Sequence, residues 1–267
     1  MNINNQPFNQ NIKRALLIGI NYTLNPANIL RGCINDIKNI EKKIKSSSPN
    51  CKEILCLSDD EKNPNLKPTR QNIINCINWL IKDLKPNDYV YLHYSGHGGL
   101  TVDLSKDEIS GFDSCIYPIS GSNIETILDD ELRSLLVDKL PFNTTCLAVF
   151  DCCHSGTGLD LKYTLTCPTI NNLAVLQNTK YGDSAGSVIF LSGCEDKQTS
   201  ADTVDKKNIP SGALTNALLE CWDKYGSSIN FSSLLRDVRN YLTINKYEQI
   251  PQMCFSNYRG IKSVLKQ

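Results

Sequence analysis

Residues 88–94 and 144–151 are short, almost unbroken apolar runs, each entered from a polar turn. A run that brief and that uniformly apolar suits a strand buried on both faces, the environment inside a parallel sheet covered by helices. The surrounding segments agree. Residues 13–20 read as a first strand, and 52–58, 114–117, 187–192 and 252–255 as further ones. Residues 33–44 place Ile34, Ile37, Ile40 and Ile44 on one helical face. Thr69 is suited to cap a helix running to about Leu84, with Ile73, Ile77, Leu80 and Leu84 inward. Further helices are predicted from Asp129 or Asp130 to Asp138, and over 212–222 and 231–243. Alternation of this kind predicts an α/β fold, a mostly parallel central sheet with helices on both faces. Ligands in such sheets bind beyond the carboxyl ends of the strands.

Two segments are expected to stand outside this scheme. Residues 1–11 are polar and rich in Asn and Gln, without the basic and apolar regions of a secretion signal, and are expected as a flexible tail. Residues 162–186, through Pro168 and several Asn, are expected as a loop of about 25 residues. That loop would divide a larger part, 12–161, from a smaller one, 187–267.

At 267 residues and 40% hydrophobic, the chain can bury a substantial core. Zero formal net charge favours neither a nucleic-acid nor a membrane partner, and no apolar run approaches the length of a bilayer span. A cytoplasmic or nuclear protein is expected. Twelve cysteines without a secretion signal, many inside apolar segments (Cys56, Cys76, Cys146, Cys221), read as buried thiols. No paired CxxC spacing suggests a zinc site.

Chemistry concentrates where the two apolar runs end. One ends in His93-Tyr94-Ser95-Gly96-His97-Gly98-Gly99, the other in Phe150-Asp151-Cys152-Cys153-His154-Ser155-Gly156. A thiol and an imidazole delivered from neighbouring strand ends are what a cysteine nucleophile and its base require. Alternation along a strand sends adjacent side chains to opposite faces, so only one of Cys152 and Cys153 can meet the base, and the residues alone leave the choice open. His97 is the candidate base. His93, inside the strand, reads as a satisfied core histidine, and His154 directly follows the candidate nucleophile. A redox role for the vicinal pair is disfavoured by the strain of a disulfide between adjacent cysteines. Asp129-Asp130-Glu131 reads most simply as the acidic first turn of a helix, Asp36 as an exposed helix residue, and Asp151 as a strand-end cap or a site residue.

At five co-linear motifs the chain resembles the metacaspases. They are residues 15–22 (Ala-Leu-Leu-Ile-Gly-Ile-Asn-Tyr), 30–36 (Leu-Arg-Gly-Cys-Ile-Asn-Asp), 93–98, 151–156 and 192–202 (Ser-Gly-Cys-Glu-Asp-Lys-Gln-Thr-Ser-Ala-Asp). The resemblance implies a caspase-hemoglobinase fold in one peptidase domain over 12–267. It assigns Cys153 as nucleophile and His97 as base, with the Gly98 and Cys153 backbone N–H groups as oxyanion donors. It implies cleavage of protein or peptide substrates after Arg or Lys, recognised by Cys33, Asp36, Ser95 and Asp151. It implies calcium activation through Asp113, Asp129, Asp130 and Asp160, weakened here because Ser114 and Ser120 stand where the family often has acidic residues. It further implies a minimal member without a prodomain, self-cleavage at loop lysines such as Lys162 and Lys180, and a monomer, whereas caspases dimerise through their last strand. The alternative is a caspase-fold scaffold without activity, though such proteins often lose the His or Cys kept here.

Overall fold

The apolar runs become the parallel half of one sheet. The computed structural model describes residues 7–8, 11–51, 53–102, 111–120, 124–153, 158–169, 172–193, 202–204 and 208–265. In chain order come β1 (Ile12–Gly19), α1 (Cys33–Ser47), β2 (Glu53–Ser58), α2 (Arg70–Ile81) and β3 (Tyr89–Ser95). An excursion follows: β4 (Gly98–Val102), β5 (Phe112–Ile116), β6 (Ile127–Leu128) and α3 (Asp129–Leu132), which continues as a π-helical turn over Arg133–Val137. Then come β7 (Thr145–Asp151), β8 (Tyr163–Thr169), β9 (Asn172–Gln177), β10 (Ser187–Ser192), β11 (Asp202–Val204) and β12 (Pro210–Gly212). The chain closes with α4 (Ala213–Tyr225), α5 (Phe231–Ile244), β13 (Gln252–Phe255) and α6 (Tyr258–Leu265).

The main sheet has the order β2-β1-β3-β7-β10-β13-β8-β9. Pairings from β2 to β10 are parallel, and those from β10 to β9 antiparallel. Helices cover both faces. Ile37, Ile40 and Ile44 of α1 join Leu214 and Leu218 of α4 and Leu234 and Leu235 of α5 over one face. Ile73, Ile77 and Leu80 of α2 and Leu132 of α3 cover the other. Strand alternation sorts the strand ends between these faces: Tyr91 and Val149 lie with α1 and α4, Tyr94, Phe150 and Cys152 with α2. Thr69 caps α2 as its sequence predicts, its hydroxyl accepting from the Asn72 N–H.

Two expectations are corrected. Residues 162–186 are not a plain loop: β8 and β9 form a hairpin that adds two strands beyond β13. Leu165 on β8 is fully buried while its neighbour Thr164 is partly exposed, the alternation of a half-buried antiparallel strand. Within the expected tail, Pro7 and Phe8 are held in place. Phe8 is 1% exposed and stacked on Trp222 with ring centroids 4.5 Å apart, while the Tyr89 hydroxyl donates to the Pro7 carbonyl at 3.1 Å. One aromatic in a polar stretch is enough, because it shields an indole that would otherwise face water. The glycines after His97 begin β4, which pairs with β5 from Gly98↔Ile116 to Val102↔Phe112.

Candidate active site

Parallel pairing of β3 with β7 brings the two motifs to one level. The register ends at Ser95↔Asp151, so His97 and Cys153 each lie two residues past a matched pair. Their backbones touch. The Gly96 N–H donates to the Asp151 carbonyl at 3.5 Å, and a Cβ placed on Gly98 would sit 2.2 Å from the Cys153 carbonyl oxygen and 3.0 Å from the Cys152 sulfur. Only glycine fits there, and it draws the candidate base and thiol segments together. Cys152 is buried among the α2-side residues at 2% exposure, whereas Cys153 is partly exposed. Residues 154–157, with His154, lie outside the described residues.

His97 is held at both ends of its backbone. Its N–H donates to the Tyr22 hydroxyl at 3.0 Å, and its carbonyl accepts from the Tyr94 hydroxyl at 2.7 Å. Tyr22 in turn donates to the Tyr117 carbonyl at 2.6 Å. Its ring lies 4.6 Å from the imidazole. Tyr22 has a φ of 55°, a left-handed conformation rare for a bulky residue. The Asp59 carboxylate locks that turn by accepting the N–H groups of Asn21 and Thr23, each at 2.9 Å. Gly96 leaves room for the clamp, since a Cβ there would stand 2.6 Å from the Tyr94 hydroxyl. The imidazole Nε2 lies 2.8 Å from the Asn28 carbonyl oxygen. A carbonyl can only accept, so in the neutral ring Nε2 carries the proton and Nδ1 keeps the lone pair. Tyr22, Asp59 and the Asn28 carbonyl escaped sequence reasoning, although Tyr22 closes one of the quoted motifs.

A carboxylate pair lies on the α1 and α4 side. Asp36, in the first turn of α1, is fully buried rather than the exposed helix residue that its position suggests. It accepts from the Ser95 and Ser211 hydroxyls, both at 2.6 Å, and from the Gly212 N–H at 2.9 Å. Asp151 accepts the N–H and hydroxyl of Thr215, both at 2.8 Å, at the start of α4, where the helix dipole favours negative charge. Gly212 lies between them: its Cβ would fall 2.1 Å from Asp151 and 3.0 Å from Asp36. Burial, and next the Asp151 charge, push Asp36 up to about 7 against its neutral donors. Ser211, Gly212 and Thr215 were not anticipated; a Pro-Ser-Gly step into a helix was the available signal. Cys33 opens α1, buried, within electrostatic range of Tyr22 and Tyr94.

His93 is the core histidine that its strand position suggests. It is fully buried, with Nδ1 3.2 Å from the Tyr91 hydroxyl and Nε2 3.3 Å from the Thr215 hydroxyl, and burial pushes it down to about 3.

The acidic residues between the motifs have structural partners. Asp129 is buried, accepts from the Ser114 N–H at 2.8 Å and the Asp130 N–H at 3.0 Å, and so ties β5 to α3. The N-cap is Leu128, so Asp129 opens the first turn instead of capping it. Burial raises Asp129 to about 7, with Asp113 and Asp130 adding to the effect. Glu131 takes Arg70 through both oxygens at 2.6 Å. Asp113 on β5 is buried, and so is Asp160, whose carbonyl accepts from Arg133. Among the described residues no three His, Cys, Asp or Glu side chains are gathered to hold a metal ion. Asp113 and Asp129 fit a cation by their buried charge, but the four expected ligands do not form a ready cage.

A family model for the metacaspase, peptidase C14 domain, matches residues 13–162. Metacaspase-1 of Schizosaccharomyces pombe is 34% identical, the match covering 93% of this chain and 68% of that protein. Metacaspase-1 of Candida glabrata is 36% identical over 92% of this chain and 73% of that protein. For Metacaspase-1 of Coccidioides immitis the figures are 36%, 92% and 62%. The crystal structure of protein GSU0716 from Geobacter sulfurreducens superposes with a TM-score of 0.64 over 92% of this chain and 94% of that one, at 22% identity, a likeness of fold. Among the described residues no helix is long and apolar enough to cross a membrane. Family match, relatives and sheet order converge: the chain belongs to the metacaspases, a family of caspase-like cysteine peptidases.

Proposed function

We propose that this protein cleaves peptide bonds after Arg or Lys, with Cys153 as nucleophile and His97 as base. The observation that carries the reading is the contact of Gly98 with Cys153 across two strands in register. Nδ1 of His97, its tautomer set by the Asn28 carbonyl, takes the thiol proton, and the thiolate attacks the scissile carbonyl carbon. The oxyanion that forms is met by the Gly98 and Cys153 backbone N–H groups. Its collapse breaks the C–N bond, and the imidazolium gives its proton to the departing amine. Water then attacks the thioester, His97 takes a water proton, and the acid and free thiol are released.

The Asp36–Asp151 pair supports a cationic side chain at the position before the cut. Every hydrogen-bond partner of Asp36 among the described residues is neutral, so its charge awaits compensation. A guanidinium about 4 Å from a carboxylate in a partly screened site gains roughly 4 kcal/mol, and an acidic side chain would be repelled as strongly. Ser95 orients Asp36; Cys33 belongs to the same turn as Asp36.

Calcium is proposed as activator, held by Asp113, Asp129, Asp130 and Asp160. The cation would neutralise the charges of Asp113 and Asp130 that, after burial, raise the pKa of Asp129. With no ready cage and with Ser114 and Ser120 uncharged, binding is expected only at millimolar calcium. Self-cleavage is proposed at loop lysines such as Lys162, which is ion-paired with Asp183 at 3.0 Å, and Lys180, which lies over the Tyr181 ring.

Hydrolysis of a fluorogenic peptide ending in Arg, with calcium or with chelator, tests the reading. Turnover that needs calcium is expected; equal turnover with chelator would remove calcium from it, and no turnover on Arg or Lys would remove the specificity. Tyr22→Phe deletes the acceptor of the His97 N–H and is expected to lower kcat about tenfold with little change in KM. An unchanged kcat would show that the clamp does not position the base.

A further inference from the structure

A cleft of about 960 Å³ opens beside His97 and Gly98, walled by Tyr22, Tyr117 and Ile119. Thr69, the cap of α2, also lines it, which places it on the α2 side of the sheet end. The Asp36–Asp151 pair lies on the opposite side, beneath α1 and α4. Cys153 and His97 sit on the edge between the two. A peptide with its basic side chain at the carboxylates and its scissile carbonyl at Cys153 must carry its following residues past His97, and the cleft is what it meets there.

The chemistry of the walls is specific enough to name the residues that fit. Lys67 donates to the Asp59 carbonyl at 3.0 Å, and the Asp59 carboxylate is engaged by Asn21 and Thr23. Both hydrogen-bond within the wall under Tyr22, and their opposite formal charges cancel in sum. The remaining rim carboxylate, Glu125, is exposed and would oppose an acidic ligand. Leu24 and Ile124, from two separate loops, line the cleft while 96% and 83% exposed. Large aliphatics left that open on the rim of a concave site have apolar surface to bury against a ligand.

Resting on the proposed peptidase reading, we propose that this cleft holds the first two residues after the scissile bond and favours aliphatic over acidic side chains there. The cleft then contributes to specificity from the leaving side, independently of the basic residue before the cut. One hydrophobic side chain in such a site discriminates by roughly tenfold or more.

The test is digestion of a synthetic peptide library randomised at the two positions on either side of the cut, with products read by mass spectrometry. Leu, Ile and Val are expected at the first two positions after the cut about tenfold over Asp and Glu. The double variant Leu24→Ser, Ile124→Ser is expected to reduce that ratio to about twofold or less. No aliphatic preference in the wild type, or one retained in the double variant, overturns the assignment. Arg and Lys enrichment before the cut is read from the same digest. Its absence with the aliphatic preference intact sinks the basic-residue specificity and leaves the cleft standing; no cleavage anywhere overturns both.

Discussion

Cys153→Ala is expected to lower kcat/KM for an arginyl peptide by on the order of 10³-fold or more, because loss of a covalent nucleophile removes the reaction path itself. The informative control is its neighbour. Cys152 packs among the α2-side core residues at 2% exposure, close against Gly98. Cys152→Ala leaves a small cavity there, with an expected stability loss of about 1 kcal/mol and turnover retained within a few-fold. Steady-state kinetics and thermal melts on the two variants separate these outcomes. If Cys152→Ala abolished turnover and Cys153→Ala did not, the assignment of the nucleophile would be reversed.

On the proposed specificity, Asp36→Asn is expected to reduce kcat/KM for arginyl peptides by on the order of 100-fold, since it would remove one of two carboxylates proposed to meet the substrate's cation. It should also change how the protein responds to pH. Burial and the Asp151 charge raise Asp36 to about 7 in the folded chain, above the ordinary aspartate value that it has when unfolded. Between those values the folded state binds the extra proton, so its stabilising contribution is full below the ordinary value and is lost as pH climbs to about 7. The free enzyme should therefore melt higher near pH 5 than near pH 8, and Asp36→Asn should flatten that difference. Substrate works in the opposite sense: a bound guanidinium favours the carboxylate, so kcat/KM on Arg should rise as pH passes through about 7. Melting curves and pH–rate profiles of wild type and variant measure both. A melting temperature that rises with pH in the wild type and not in Asp36→Asn would contradict the sign.

What the sequence made legible follows physical lines. β3 and β7 are buried along their whole length and β1 from Ala15 onward, and their nearly unbroken apolar runs announce them. α1 and α2 show their inward isoleucines and leucines at helical spacing, and α2 shows its Thr69 cap. The elements that escaped have mixed environments. β4 starts with two glycines needed for close approach to Cys153 and Tyr117, and glycine pairs look like loop. β8 alternates Thr with apolar residues until Pro168 obscures the pattern, and β9 is a short apolar run framed by Asn172 and Gln177. At the site, Cys153, His97, Asp36, Ser95 and Asp151 could be named from motifs, and the strands bring His97 beside the Cys153 backbone and Ser95 onto Asp36. Ser211 and Gly212 reach Asp36 from 175 and 176 residues away, and Thr215 reaches Asp151 from 64. The Asn28 carbonyl is a backbone group, so its own side chain leaves no trace of it. Buried depth was misjudged for Asp36, because the early turn of a helix does not reveal that another segment, here Ser211 and Gly212, will close over it.

The hairpin of β8 and β9 also decides where this sheet can still grow. A strand with unpaired N–H and C=O groups is a template for another chain. β13 has β10 on one side and β8 on the other, so both of its ladders are already taken. A second molecule seeking to join sheets at this final strand would first have to peel the hairpin away. The open margins of the main sheet are β2 and β9, and any continuous sheet shared by two molecules would have to be stitched along one of them.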